Sequence, residues 1–122
     1  MKNILILGAG STIAKEVAKQ LAFESNIRLI LAGRDVEDLE LVRNDLVLRY
    51  DQMACMIYFD ALDAKSHLSF FNSCIKAFGE IDTVLFAYGY LGNQTKAEKD
   101  FTEMSNILAI NYLSYVSILN IV

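Results

Sequence analysis

The chain reads as an α/β protein built on one doubly wound parallel sheet. Short apolar runs of five to seven residues alternate with longer segments of helical periodicity, in the order β-α-β-α-β-α-β-α. The short runs are continuously apolar rather than alternating, as strands covered on both faces require. The first run ends in Gly8-Ala9-Gly10 and passes directly into a helical pattern, a strand–turn–helix junction of the kind that cradles phosphates. Strands joined by helices in this order run parallel with right-handed crossovers. At 122 residues, 54% of them hydrophobic, the chain is one domain, residues 1–122, with enough apolar surface for a real core.

Residues 3–7 (NILIL) are the first strand. Residues 11–23 form the first helix, with Ile13, Val17 and Leu21 as its expected apolar stripe and Lys15, Glu16, Lys19 and Gln20 outside. Residues 27–32 (IRLILA) are the second strand. Residues 35–50 are the second helix, with Leu39, Val42 and Leu46 inward and the Asp35/Asp38 pair marking its start. Residues 54–59 (ACMIYF) are the third strand, closed by Asp60. Residues 65–78 are the third helix, ended by Gly79. Residues 81–87 (IDTVLFA) are the fourth strand. A polar loop over 89–99 leads to a long last helix, roughly 100–122. From Met104 onward that helix carries no charge, and the expectation is burial by protein on most faces; its serines and asparagines argue against a membrane span.

The composition excludes several classes. A net charge of −4 without a basic cluster speaks against nucleic-acid binding. The apolar run 4–7 is too short for a signal peptide. There is no proline. Cys55 and Cys74 lie in apolar segments without C-x-x-C spacing, so both are expected as buried free thiols in a reducing, cytoplasmic setting. His67, the only histidine, has no metal-ligand pattern around it.

In an open parallel sheet ligands bind at the carboxyl ends of the strands, beside the first strand. After strand one, Gly8 and Gly10 permit a tight turn and close backbone approach, and the helix start offers unpaired N–H groups to a phosphate. Gly8, Gly10, Ser11, Thr12 and Ile13 would form that segment; Ser11 and Thr12 either donate hydroxyls or cap the helix. The alternative is a tight turn without a ligand. After strand two, Gly33 stands where an NAD-preferring fold carries a carboxylate, and Arg34 follows. A guanidinium suits a 2′-phosphate; otherwise Arg34 is a surface arginine, and Asp35 a helix cap. After strand three, the Asp60 carboxylate is placed to accept from an adenine amino group, with the backbone at Ala61 beside the ring, or else it serves turn chemistry. After strand four, Ala87 and Gly89 allow backbone approach, and Tyr88 is core or pocket wall. Asn111 lies in an apolar helix: a buried amide there either bonds a main-chain group and bends the helix or holds a water in a site.

Together these positions resemble the short-chain dehydrogenase/reductase family. "LGAGSTIA" resembles its T-G-x-x-x-G-x-G loop, with Leu7, Thr12 and Ala14 in place of the Thr and two of the glycines. "LAGRD" resembles the NADP-type end of the second strand, "FDALD" the adenine-contacting D-x-x-D, and "AINYLS" the helix carrying the family's Asn, here Asn111. The N-N-A-G strand end is present only through Gly89, with Phe86, Ala87 and Tyr88 in the other places. "GAGSTIA" with "AYGYLG" is also similar to a subgroup that includes keto-sugar reductases.

The resemblance implies a Rossmann-type sheet of order 3-2-1-4 and an oxidoreductase using NADP(H) in preference to NAD(H) on a small carbonyl or alcohol. It spans about the amino-terminal half of a usual member. The family's Ser and Tyr-x-x-x-Lys fall outside it: none of Tyr50, Tyr58, Tyr88, Tyr90, Tyr112 or Tyr115 has Lys four residues later. Of the implied catalytic residues only Asn111 is present, so the chain alone is expected to bind cofactor without useful turnover; the alternative is a non-catalytic binding or sensing module. The edge at strand four and the uncharged last helix predict a homo-oligomer.

Overall fold

The computed structural model describes residues 1–24 and 26–122. Four strands, β1 (Lys2–Leu7), β2 (Ile27–Gly33), β3 (Met53–Tyr58) and β4 (Thr83–Phe86), form one parallel sheet in the order β3-β2-β1-β4. The helices α1 (Thr12–Leu21), α2 (Val36–Tyr50) and α3 (His67–Phe78), the last entered through a 3₁₀ turn at Ala64–Ser66, connect them. This is the Rossmann-type arrangement expected from the sequence.

The continuous apolar runs have a direct structural reason. Successive side chains point to opposite faces of a strand. Ile6, Leu29 and Leu31 pack under α1 and α2 with Leu39 and Leu46. Leu5, Leu7, Ile30 and Ala32 face the other way, against Phe59, Phe70, Cys74 and Ile118. The two central strands, β1 and β2, therefore bury both rows, and each fully buried Leu or Ile contributes about 1.5–3 kcal/mol. The pairing also runs past the strand ends: Asp82 N donates to the Asn3 carbonyl, Ala87 N to that of Leu7, and Phe59 N to that of Gly33. Strands three and four thus differ from their expected bounds by a residue or two.

Four expectations need correction. The first helix does not bury the Ile13 stripe: Ile13 is 75% exposed, and Ala14 and Ala18 face the sheet. Small side chains let α1 lie close over β1, the task of the third glycine in dinucleotide-binding loops. The loop over 89–99 contains a helical turn, α4 (Gln94–Ala97), capped by the Asn93 side chain. The last helix is α5 (Phe101–Leu108), a π-helical turn (Ala109–Leu113) and α6 (Ser114–Leu119), capped at its start by Asp100. It is not covered on most faces. Glu103, Ser114 and Ile118 are buried, Ile118 in the cluster with Leu5, Leu7, Phe70 and Cys74, while Leu108, Tyr112, Leu113 and Leu119 are more than half exposed. Finally, Cys74 is buried but Cys55 is only partly so, since it sits on the edge strand β3. No helix among the described residues is long and apolar enough to cross a membrane.

Candidate functional site

The carboxyl ends of the four strands converge on two adjoining cavities of about 140 and 380 Å³. Both are lined by Gly8, Gly33, Arg34, Tyr88 and Gly89. The smaller adds Asp60 and Ala61; the larger adds Gly10, Ser11, Asp35 and Asp38. Of the residues read from the sequence, Gly8, Gly10, Ser11, Arg34, Asp60, Ala61 and Gly89 thus come together. Thr12 and Ile13 lie exposed on the first helical turn beside them. Ala87 stays in the sheet, its N–H on Leu7.

Gly8 adopts φ +83°, and a Cβ there would stand 2.6 Å from the Tyr88 Cβ and 2.9 Å from the Tyr88 backbone nitrogen. The first turn and the turn after β4 can touch only if position 8 is glycine. A Cβ on Gly10 would lie 2.9 Å from Asp38 Oδ2. The N–H groups of Gly8 and Ala9 both donate to the Ala32 carbonyl, so they serve the sheet. Ser11 resolves to a cap: its Oγ accepts from Ala14 N at 3.1 Å. The amides of Thr12 and Ile13, in the first turn of α1, have no intrahelical acceptor and point with the positive end of the helix.

Arg34 is exposed and makes no ion pair among the described residues. Asp35 caps α2 by accepting from Asp38 N, and Asp38 in turn pairs with Lys15 at 3.0 Å. Asp60 Oδ1 accepts from Leu62 N at 3.0 Å, which is the turn chemistry considered for it; the residue still lines the smaller cavity. Tyr88 is both core and wall. Its ring packs among Phe59, Phe86 and Tyr115, its hydroxyl bonds Ser114, and burial pushes the phenol's pKa up, partly offset by that bond.

Asn111 differs from the buried amide expected. It is exposed, on the π-helical turn, and both its groups are used by one residue: Oδ1 accepts from Tyr90 N at 2.8 Å and Nδ2 donates to the Tyr90 carbonyl at 2.6 Å. It bonds main chain, as one alternative had it, but that of the loop after β4 rather than of its own helix. A second clamp was missed in the sequence. Glu103, 6% exposed, accepts from the Tyr90 hydroxyl at 2.5 Å and from Asn93 N at 3.2 Å. The Glu103 carboxylate holds the Tyr90 phenol above its ordinary pKa, chiefly through that hydrogen bond. Tyr90 faces the smaller cavity, so both side chains fix one wall of the site from the last helix. The available signal was an acid, Glu103, one turn past the capping Asp100 at the start of an otherwise uncharged helix. Among the described residues no cluster of His, Cys, Asp or Glu can hold a metal.

The sequence profile of the family described as short chain dehydrogenase matches residues 2–122. The chain is 28% identical over 117 residues to an NADP-dependent 3-hydroxy acid dehydrogenase of Schizosaccharomyces pombe, a match covering 95% of this chain and 45% of that protein. Its fold is similar to that of an NAD⁺-bound xylitol dehydrogenase (TM-score 0.86, 23% identity, 99% of this chain and 46% of that one). It is similar also to L-sorbose reductase from Gluconobacter frateurii, solved with NADPH and L-sorbose (TM-score 0.87, 19% identity, again 99% and 46%). The chain spans about half the length of the curated relatives it matches.

Proposed function

The chain belongs to the short-chain dehydrogenase family, and from that premise we propose that it is the NADP(H)-binding part of an oxidoreductase acting on a carbonyl or alcohol. The observation that carries the cofactor choice is Arg34. Its guanidinium has no carboxylate partner among the described residues, stands on the cavity wall at the end of β2, and follows Gly33 where a carboxylate would select a free ribose. The rest of the site fits a dinucleotide. Side chains are missing where backbone must approach, at Gly8, Gly10 and Gly89, and the α1 amides are positioned for phosphate.

In this reading Gly8 through Ile13 hold the pyrophosphate, Arg34 the 2′-phosphate, Asp60 and Ala61 the adenine, and Ala87 and Gly89 form the floor toward the nicotinamide. When bound, the nicotinamide supplies the hydride chemistry. Asn111 acts on the site through Tyr90, keeping the wall beside Gly89 in place. Because no tyrosine here is followed by Lys at the fourth position, these 122 residues alone supply no paired general acid. We therefore assign binding without useful turnover to them. The exposed apolar face of α5 and α6 and the open β4 edge support self-association, and the two free cysteines support a cytoplasmic setting.

Titrating NADPH and NADH against the chain and against Arg34→Ala tests the cofactor choice. Arg34→Ala should weaken NADPH by about 10-fold or more, from loss of a charge-assisted pair worth about 1.5–3 kcal/mol, and spare NADH; equal losses for both refute the 2′-phosphate role. Robust carbonyl reduction by this chain would refute the binding-only reading. A monomer by light scattering at high concentration would refute association.

A further inference from the structure

The only histidine of the chain is fully buried, at 0% exposure, on the first residue of α3. Its Nε2 lies 3.1 Å from the Asp60 carbonyl oxygen and its Nδ1 2.8 Å from Ser117 Oγ on α6. Its ring stacks on Phe59, the residue before Asp60, with 5.3 Å between centroids and planes 28° apart. A carbonyl can only accept, so Nε2 carries the hydrogen and donates to it, while Nδ1 shares a hydrogen bond with the Ser117 hydroxyl. A chain of hydrogen bonds thus runs from α6 through His67 to the main chain of the Asp60 turn.

That turn lines the smaller cavity through Phe59, Asp60, Ala61 and Leu62. Three bonds hold it: Leu62 N donates to Asp60 Oδ1 at 3.0 Å, Asp63 N donates to the Asp60 carbonyl at 3.2 Å, and His67 Nε2 bonds that same carbonyl from α3. A buried imidazole is a costly way to fill space, since an apolar side chain would pack without needing two partners. What the imidazole adds is a second donor on the Asp60 carbonyl from outside the turn, which fixes the turn against α3.

We propose that His67 is a positioning residue for the adenine end of the cofactor site, holding the 60–62 turn in its binding geometry and coupling it to α6 through Ser117. The proposal rests on the cofactor reading above. It predicts that weakening the His67 bond loosens the adenine wall and leaves the glycine turn, at the end of β1 and across β2 from it, untouched.

The test uses NMR titrations of the chain with 2′,5′-ADP, which reads the adenine end, and with inorganic pyrophosphate, which reads the Gly8–Gly10 turn. The variants are His67→Asn, whose amide reaches toward Ser117 but not Asp60, and His67→Gln, whose amide reaches Asp60. His67→Asn should weaken 2′,5′-ADP about 10-fold, the loss of one buried hydrogen bond, and His67→Gln should restore it to within about twofold. Pyrophosphate should bind all three alike. If His67→Asn does not fold, Ser117→Ala reads the same chain of bonds from its other end, with about a threefold loss for 2′,5′-ADP alone. An unchanged 2′,5′-ADP affinity in the variants, or equal losses in Asn and Gln shared by pyrophosphate, overturns the positioning role. A wild-type chain that binds no 2′,5′-ADP removes the cofactor reading and this proposal with it.

Discussion

Replacing Gly8 by alanine separates two costs that the fold combines at one residue. Gly8 and Gly79 have almost the same backbone angle, φ +83° and +87°. Their surroundings differ. A Cβ at position 79 would meet nothing nearer than Asn3 Nδ2 at 3.9 Å, while one at position 8 would meet Tyr88 Cβ at 2.6 Å, Tyr88 N at 2.9 Å and the Ala87 carbonyl carbon at 3.0 Å. Gly79→Ala thus reports backbone strain alone, about 1–3 kcal/mol. Gly8→Ala adds overpacking against main chain that cannot rotate away, about 1–3 kcal/mol more. The sum for Gly8→Ala is about 2–6 kcal/mol, a large part of the roughly 5–15 kcal/mol that holds a domain together. In urea, with a slope of about 1–3 kcal/mol per molar, the Gly8→Ala midpoint should fall clearly further than the Gly79→Ala midpoint, by about 1 M. Equal midpoints for the two variants would show that the first turn does not press on the turn after β4, and the reasoning for a glycine-only crossing would fail.

Three further outcomes follow from the same structure. Tyr88, Tyr90 and Tyr115 all have phenols raised above 10.0, by burial for Tyr88 and Tyr115 and by the Glu103 bond for Tyr90. A raised acid is neutral in the folded chain while the unfolded chain ionises. Their stabilisation is therefore complete below pH 10 and lost as pH climbs through the folded values; with the buried Cys74 thiol, whose unfolded value is 9.0, denaturation midpoints measured from pH 8 to 11 should begin to fall above about 9 and fall more steeply above about 10. Asn111→Ala removes both bonds to Tyr90 and should cost about 1–3 kcal/mol by urea denaturation, with faster amide exchange at Tyr90. Burial raises the Cys74 thiol from 9.0 to about 11, so at pH 8 a thiol reagent should modify Cys55 first and Cys74 only on unfolding.

The sheet was legible because its signal is doubled: in a strand such as Ile27–Gly33 both alternating rows are apolar, and no other element produces so short a run with turn chemistry at each end. The cofactor side of the site was legible for a related reason. Gly8, Gly33, Arg34, Asp60 and Gly89 each lie at the end of a strand or within three residues of it, so knowing the strands locates them. What stayed hidden depends on helix phase. Ile13 and Ala14 differ by one position, and hydrophobicity favours Ile13 for the core; only the tight turn at Gly8, which brings α1 down onto β1, makes the small residue the buried one. The clamps by Glu103 and Asn111 and the His67–Ser117 contact join residues 13, 21 and 50 positions apart. Each requires the relative rotation of two elements, which no local pattern encodes. His67 carried no metal pattern in the sequence, and its function in the fold lies in direction rather than coordination.

The π-helical turn at Ala109–Leu113 lets the last helix absorb a change in its own length. A π turn accommodates one residue more than an α turn over about the same rise. Deleting a single residue there would let the segment close as ordinary α-helix, and because the residue lost is the extra one, α6 would keep its face, with Ile118 toward the sheet and Ser117 toward His67. The same deletion at Tyr115 or Val116, where no extra residue is held, would turn Ser117 and Ile118 by about 100°. The last helix thus stores one residue of slack between the part that supports Tyr90 through Glu103 and the part that reaches the Asp60 turn through Ser117.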